Sequence, residues 1–229
     1  GSIRGINAVA GLADVDFLIE ETNLGTLPFK AATAAVSYDD LSYRFNFDLP
    51  VPGGNPLRLA SANIDVVKDT DYTLVLAGDT ATQQMLVWER PERDWSNTDT
   101  IFDVNIGHAT TSLGPVDVYL TAPGSIPVAG NAVGTVTYGE RLDALEFPAG
   151  DYQIILTAAN DPASVILQSS TTALAAADSY QLIVLDADPS LTGPVSLRLI
   201  NQAGKKAPDG IEIDFPITRQ HISEMTGTT

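Results

Sequence analysis

Short runs with a period-two pattern of apolar and polar residues recur along the whole chain: Val15 to Ile19, Tyr43 to Phe47, Tyr72 to Leu76, Val116 to Leu120, Tyr152 to Leu156, Tyr180 to Leu185 and Val195 to Ile200. Successive side chains of an extended chain point to opposite faces, so each run predicts a half-buried strand. Turn-formers separate the runs: Pro50 to Pro56 around Gly53-Gly54, Ala122-Pro123-Gly124-Ser125, Pro148-Ala149-Gly150-Asp151, and Gly204 to Gly210 around Pro208. The alanine-rich stretches Lys30 to Ala35 and Ala173 to Ala177 are too short for a stable amphipathic helix and read as strands or connections. Many short strands between Gly/Pro turns predict an all-β sandwich or barrel.

The chain also repeats itself. Three segments share an apolar strand ending in Asn, a loop, and an alternating strand that carries an acid. They are Ile3 to Asn7 with Asp14 to Leu18, Ile101 to Asn105 with Val116 to Tyr119, and Leu197 to Asn201 with Ile211 to Phe215. The Asn residues at 7, 105 and 201 lie 98 and 96 residues apart, close to the roughly 100 residues of an immunoglobulin-like sandwich. Val36-Ser37-Tyr38-Asp39 recurs as Val136-Thr137-Tyr138-Gly139, and Asp71 to Leu76 recurs as Ser179 to Val184.

The expected architecture is therefore two tandem immunoglobulin-like antiparallel β-sandwich domains, 3–96 and 97–194. A partial third repeat, 195–222, adds strands, and 223–229 forms a flexible polar tail. Two strands beginning at Val195 cannot bury their faces alone. Pairing with the second sandwich needs the shortest connection. Reaching the first sandwich or a neighbouring molecule are the other outcomes, so the chain reads as a monomer or a strand-exchanged dimer.

The ordered set Asn105, Val116-Asp117-Val118-Tyr119, Tyr138-Gly139, Phe147 to Tyr152 and Tyr180 to Val184 resembles the bacterial repeats catalogued as domain of unknown function 4397. The likeness is closer over residues 100 to 201 than over the first repeat, where Asp39 stands in place of the turn Gly. The resemblance implies an immunoglobulin-like sandwich on an exported, often lipoprotein-anchored and adhesion-like protein, and it supplies no catalytic residues. Its compartment would be extracytoplasmic: periplasmic, outer-membrane-anchored or secreted.

Charge narrows the partners. Twelve Lys and Arg against 29 Asp and Glu leave a net charge of −17, which disfavours nucleic acid and anionic membrane surfaces. No apolar stretch approaches the roughly 18 residues that cross a bilayer. Cysteine is absent, so disulfides and thiolate chemistry are excluded. The opening Gly1-Ser2 reads as a tag remnant on a trimmed chain, which leaves room for a leader or lipid anchor ahead of it.

Candidate chemistry is sparse, and no enzyme is expected. Of the two histidines, His108 sits near Thr110, Thr111 and Ser112, a nucleophile and base on paper, and His221 lies near the tail. Glu20-Glu21, Asp39-Asp40 and Asp186 with Asp188 are the carboxylate pairs available for glycosidase-type work, although strand neighbours point apart. No cofactor is expected. Calcium is the one metal considered: Asp69 with Asp71, and Asp186 with Asp188, put two acids on one side of an extended chain. Trp88 and Trp95 flank the charged stretch Glu89 to Asp94 and serve either as binding aromatics or as a stiffener between repeats.

The leading expectation is a non-catalytic cell-envelope or secreted binding module that recognises a cell-surface protein or glycan through sandwich loops. The alternatives are structural spacer repeats and a hydrolase built on a carboxylate pair or His108.

Overall fold

The computed structural model describes residues 1–188, 193–201 and 212–213, the last pair as backbone. All regular structure among them is β. The first half of the chain contributes β1 (Ser2–Asn7), β2 (Val15–Ile19), β3 (Thr22–Leu27), β4 (Val36–Ser37), β5 (Ser42–Leu49), β6 (Leu57–Asp65), β7 (Thr70–Gly78) and β8 (Gln83–Pro91). The second contributes β9 (Ile101–His108), β10 (Val116–Thr121), β11 (Gly134–Val136), β12 (Arg141–Pro148), β13 (Gly150–Ala158), β14 (Asp161–Gln168), β15 (Thr172–Leu174), β16 (Asp178–Asp186), β17 (Val195–Asn201) and β18 (Glu212–Ile213).

These form four sheets. Order β3-β2-β5-β6 faces order β4-β1-β7-β8 around a core that includes Phe17, Phe45, Phe47, Tyr72 and Leu74. Order β11-β10-β13-β14, with β15 beside β13, faces order β12-β9-β16-β17-β18 around Phe102, Val118, Leu156, Tyr180 and Leu182. Pairing is antiparallel except for β1 with β7 and β9 with β16. The two sandwiches thus share one plan, with a parallel pair at the heart of each inner sheet.

A third cluster joins them. Ile6, Ala8, Val75, Ala77 and Trp88 from the first sandwich pack with Ala109, Ile183, Leu185 and Ile200 from the second. The strands that supply them are consequently buried on both faces: β1, β7, β9 and β16 show almost no exposed residue. Gly107 permits the closest approach, because a Cβ there would meet the Trp88 ring at 2.5 Å. Thr73 Oγ1 donates across the seam to Gln181 Oε1 at 2.7 Å, and both residues are buried.

The parallel pairs fix how the repeats superimpose. Ile3 pairs with Tyr72, and Val104 pairs with Tyr180. Tyr72 and Tyr180 are counterparts, each a core ring whose hydroxyl accepts the amide five residues earlier, Val67 N and Ala175 N, both at 3.0 Å. Ile3 therefore matches Val104, an offset of 101. The Asn-based spacing of 98 differs from this by an odd number, so it places opposite faces in register. Asn7 points inward, where its Nδ2 donates to Leu27 O, and its counterpart is His108; Asn105 faces the seam, and its counterpart is Arg4.

The strand Leu197 to Asn201 likewise takes a place other than that of a repeat opener. It lies in β17, antiparallel to β16, as β8 is to β7. Its apolar run is long because both faces are covered. β18 pairs with β17 and extends the same sheet. Ile211, Asp214, Phe215, His221 and the segment 223–229 lie outside the described residues.

Candidate functional site

One polar groove lies where the seam reaches the surface. It has a volume of about 610 Å³ and is lined by Arg90 to Asp94, Asp103, Asn105, Arg141, Asp143 and Ala144. Its opening follows from an irregularity in β12. The β12–β9 ladder slips between Leu142 and Leu145, so Asp143 and Ala144 bulge away opposite Asn105. The other wall is the end of β8 and the segment that follows it.

Arg90 forms the floor. It is 5% exposed; Nη1 donates to Asp103 Oδ1 at 3.2 Å and Asn105 Oδ1 at 2.9 Å, and Nη2 donates to Asp103 Oδ2 at 3.2 Å and Ser179 Oγ at 3.0 Å. Asp71 Oδ2 lies 3.9 Å from its Nε, and Asp71 also accepts from Ser2. The forked guanidinium thus ties β8 to β9 and β16 with charge-assisted bonds, where a buried charge needs them. Arg93 lies 3.8 Å over the Trp95 ring, pairs with Glu146, and stands 3.7 Å from Asp103 Oδ2.

Asn105 is the exception to this satisfaction. Its Oδ1 must accept from Arg90, which fixes the amide orientation and turns Nδ2 the other way. That nitrogen is buried and has no hydrogen-bond partner, on a residue that lines the groove. Leaving such a donor unmatched costs about 1–3 kcal/mol. Arg141 stands opposite Gly107 on the same face, with Asp143 Oδ1 3.3 Å from its Nη2. Burial, together with the neighbouring Arg90 charge, pulls the Arg141 guanidinium below its ordinary value.

The sequence-derived candidates are dispersed. Trp88 is 5% exposed in the seam, its Nε1 donating to Gly139 O at 3.1 Å, and Trp95 is half-buried beside the groove, its Nε1 donating to Ser179 Oγ at 3.0 Å. Asp69 occupies the β6–β7 turn with φ of 57°, so the chain there is not extended and does not align it with Asp71. Asp71 is committed to Arg90 and Ser2, Asp186 accepts from Thr110 and from Ser112, and Asp188 pairs with Lys30. Among the described residues no three His, Asp or Glu side chains converge as metal ligands. Glu20 and Glu21 both face Arg44 at the surface. His108 is fully buried, with Nε2 3.3 Å from Gly114 O and Nδ1 without a partner. Desolvation lowers its pKa, against the pull of Asp186 and Glu140.

The model described as Domain of unknown function (DUF4397) matches residues 1–119, more than half of the chain. The chain belongs to the DUF4397 family. The matched segment runs through β8 and β9 to Tyr119 in β10, so it contains Arg90 to Asp94, Asp103 and Asn105 but not Arg141. The match thus falls chiefly on the first repeat, whereas the sequence pattern placed the closer likeness over residues 100 to 201; Tyr138-Gly139, Phe147 to Tyr152 and Tyr180 to Val184 lie beyond the matched segment. No curated protein matches the chain.

Sequence reasoning singled out the charged stretch Glu89 to Asp94 and the strand end Asn105, but not their meeting with Arg141. The available signal was arithmetic. Three of only 12 basic residues gather in one groove of a strongly acidic chain.

Proposed function

We propose that this DUF4397 chain is a non-catalytic binding module of the cell envelope or a secreted protein, and that it takes a glycan in the seam groove. The carrying observation is the Asn105 amide nitrogen, a buried donor without an acceptor on a residue that lines the groove. Interleaved guanidinium and carboxylate groups suit sugar hydroxyls, which both donate and accept. The groove volume of about 610 Å³ falls within the roughly 300–1,000 Å³ of small-molecule sites. Concavity favours a glycan over a flat protein epitope. Family resemblance supports the extracytoplasmic setting, as does the charge of −17.

A spacer reading has its own support, because the buried seam stiffens the tandem unit. A hydrolase built on His108 has none, since a fully buried ring cannot reach substrate. Titration of the isotope-labelled chain with glucose, followed by two-dimensional NMR, tests the binding reading. Shifts centred on Asn105, Arg93 and Trp95 are expected. Shifts confined to the sandwich-end loops, or none across a range of neutral and acidic sugars, would overturn it. Fractionation of the producing cells tests the compartment, and recovery of the chain in the cytoplasm would refute that part.

A further inference from the structure

We infer that the ligand of this groove carries an oxyanion, a uronate-type carboxylate on the sugar, seated between the Arg141 guanidinium and the Asn105 amide nitrogen. This rests on the glycan reading above and adds the chemical group recognised.

The groove's arginines differ in how far they are already engaged. Arg90 spends its fork on Asp103, Asn105 and Ser179, and Arg93 is held by Glu146, Asp103 and the Trp95 ring. Arg141 has a 3.3 Å contact to Asp143, whose side chain is 99% exposed, and the smaller pull of the Glu89 carboxylate. Such a solvent-screened pair is worth little. The Arg141 side chain itself is only 15% exposed. A half-sequestered cation is therefore poorly compensated at the point where it faces the groove.

Geometry brings the second donor beside it. Arg141 pairs with Gly107, and Asn105 lies two residues earlier on the same face of β9. These are diagonal cross-strand neighbours, roughly 7–8 Å apart at Cα. The bulge sets two residues of β12, Asp143 and Ala144, against the single residue Asn105 and breaks the pairing there. One carboxylate can then accept from Asn105 Nδ2 with one oxygen and from Arg141 with the other, through charge-assisted bonds of about 2.8 Å. Two donors, one of them cationic, meet there beside the exposed Asp143 carboxylate. A neutral hydroxyl would satisfy Asn105 but leave the Arg141 charge as it is. The overall charge of −17 works against a polyanion at long range, so a sugar with an isolated carboxylate fits better than a densely sulfated chain.

The test is titration calorimetry on the whole chain with glucuronic acid, glucose and inorganic phosphate, repeated on Arg141→Gln. Glucuronic acid is expected to bind at least ten-fold tighter than glucose. The Arg141→Gln substitution should erase that difference. Raising the salt should weaken glucuronic acid and not glucose, a readout that remains if the variant fails to fold. Equal binding of the two sugars would overturn the oxyanion assignment and leave the glycan reading intact. Phosphate binding as tightly as glucuronic acid, with loss in Arg141→Gln, would keep the oxyanion seat and overturn the sugar. No binding of any probe would overturn both.

Discussion

Thr73 and Gln181 occupy equivalent positions in the two sandwiches, and the hydroxyl of the first donates to the amide oxygen of the second at 2.7 Å across the seam. Each residue meets its own counterpart. The neighbouring pairs follow suit: Ala8 with Ala109, Val75 with Ile183, Ala77 with Leu185 and Trp88 with Ile200 are counterparts, and all lie in the seam cluster. Like faces are in contact, as they are in a two-fold dimer.

The seam is therefore expected to carry stability for both halves. Trp88→Ala should cost about 3–5 kcal/mol, the usual range for deleting a buried large aromatic ring, measured by urea unfolding. Gly107→Ala should cost about 1–3 kcal/mol by overpacking, since its new Cβ would press on the Trp88 ring. A loss below 1 kcal/mol in both would mean that the sandwiches do not depend on their contact.

Arg90 presents a second case. Its removal strands Asp103, whose side chain is 3% exposed, without its forked partner. Arg90→Ala should cost about 3–5 kcal/mol, whereas Arg90→Met combined with Asp103→Leu should cost much less, because the pair goes together. The double-mutant cycle by chemical denaturation reads the difference directly.

Acid should act through His108. Its folded pKa lies below the ordinary 6.5 because the ring is desolvated. Above pH 6.5 the ring is neutral whether folded or unfolded, so its full contribution is present. As pH falls below 6.5 the unfolded chain takes up a proton that the folded ring resists, and stability drops until the lower folded pKa is reached. Urea midpoints between pH 7.5 and 5 should fall, and less steeply in His108→Gln. Asp178 acts in the opposite sense and lower down, because burial raises its carboxyl above the ordinary 3.8. In that lower window the folded carboxyl takes its proton first, which adds stability as pH falls.

Alkali should act through Tyr180. Its hydroxyl donates to Asp178 Oδ2 at 3.0 Å and accepts from Ala175 N, and burial pushes its pKa up to about 12. Stability is fully present below pH 10 and is lost as pH rises from there toward 12, since the unfolded phenol ionises first. Tyr180→Phe should cost about 1 kcal/mol at neutral pH and flatten the alkaline decline. Thermal melts at pH 8 and 11 provide the comparison.

Melts with calcium and with chelator are expected to coincide. Asp71, Asp186 and Asp188 already have Arg90, Thr110 and Lys30 as partners, and Asp69 turns away from Asp71. A rise in melting temperature with calcium would show that these contacts rearrange around the ion.

Much of the β architecture was legible because its outer strands obey period two. Val15 to Ile19 alternates buried and half-buried positions as its residues suggest. The inner strands were harder. Thr73, Gln181, Arg90 and Asp103 look like solvent-facing partners of apolar neighbours, yet all are buried, because a second sandwich covers the face that alternation assigns to water. The same cause hid β8, whose Trp88 and Arg90 share the seam side. Asn7 and Asn105 both close an apolar run, but an odd shift in register means that only a ladder, not a spacing, can show that they face opposite ways. The groove depends on a bulge in β12, and nothing in Arg141-Leu142-Asp143-Ala144-Leu145 announces where a ladder slips.

A dimer of identical chains would carry every surface feature in duplicate, whereas joining the halves on one chain frees them to differ. At the place equivalent to the groove, Arg4 stands where Asn105 would be and Ala32 falls near the position of Arg141. Beside Ser2, Ala35 and Asp71 only about 10 Å³ of space is left there. One end of the seam is filled and the other is open, so the two-fold likeness of the halves is broken where the seam meets solvent.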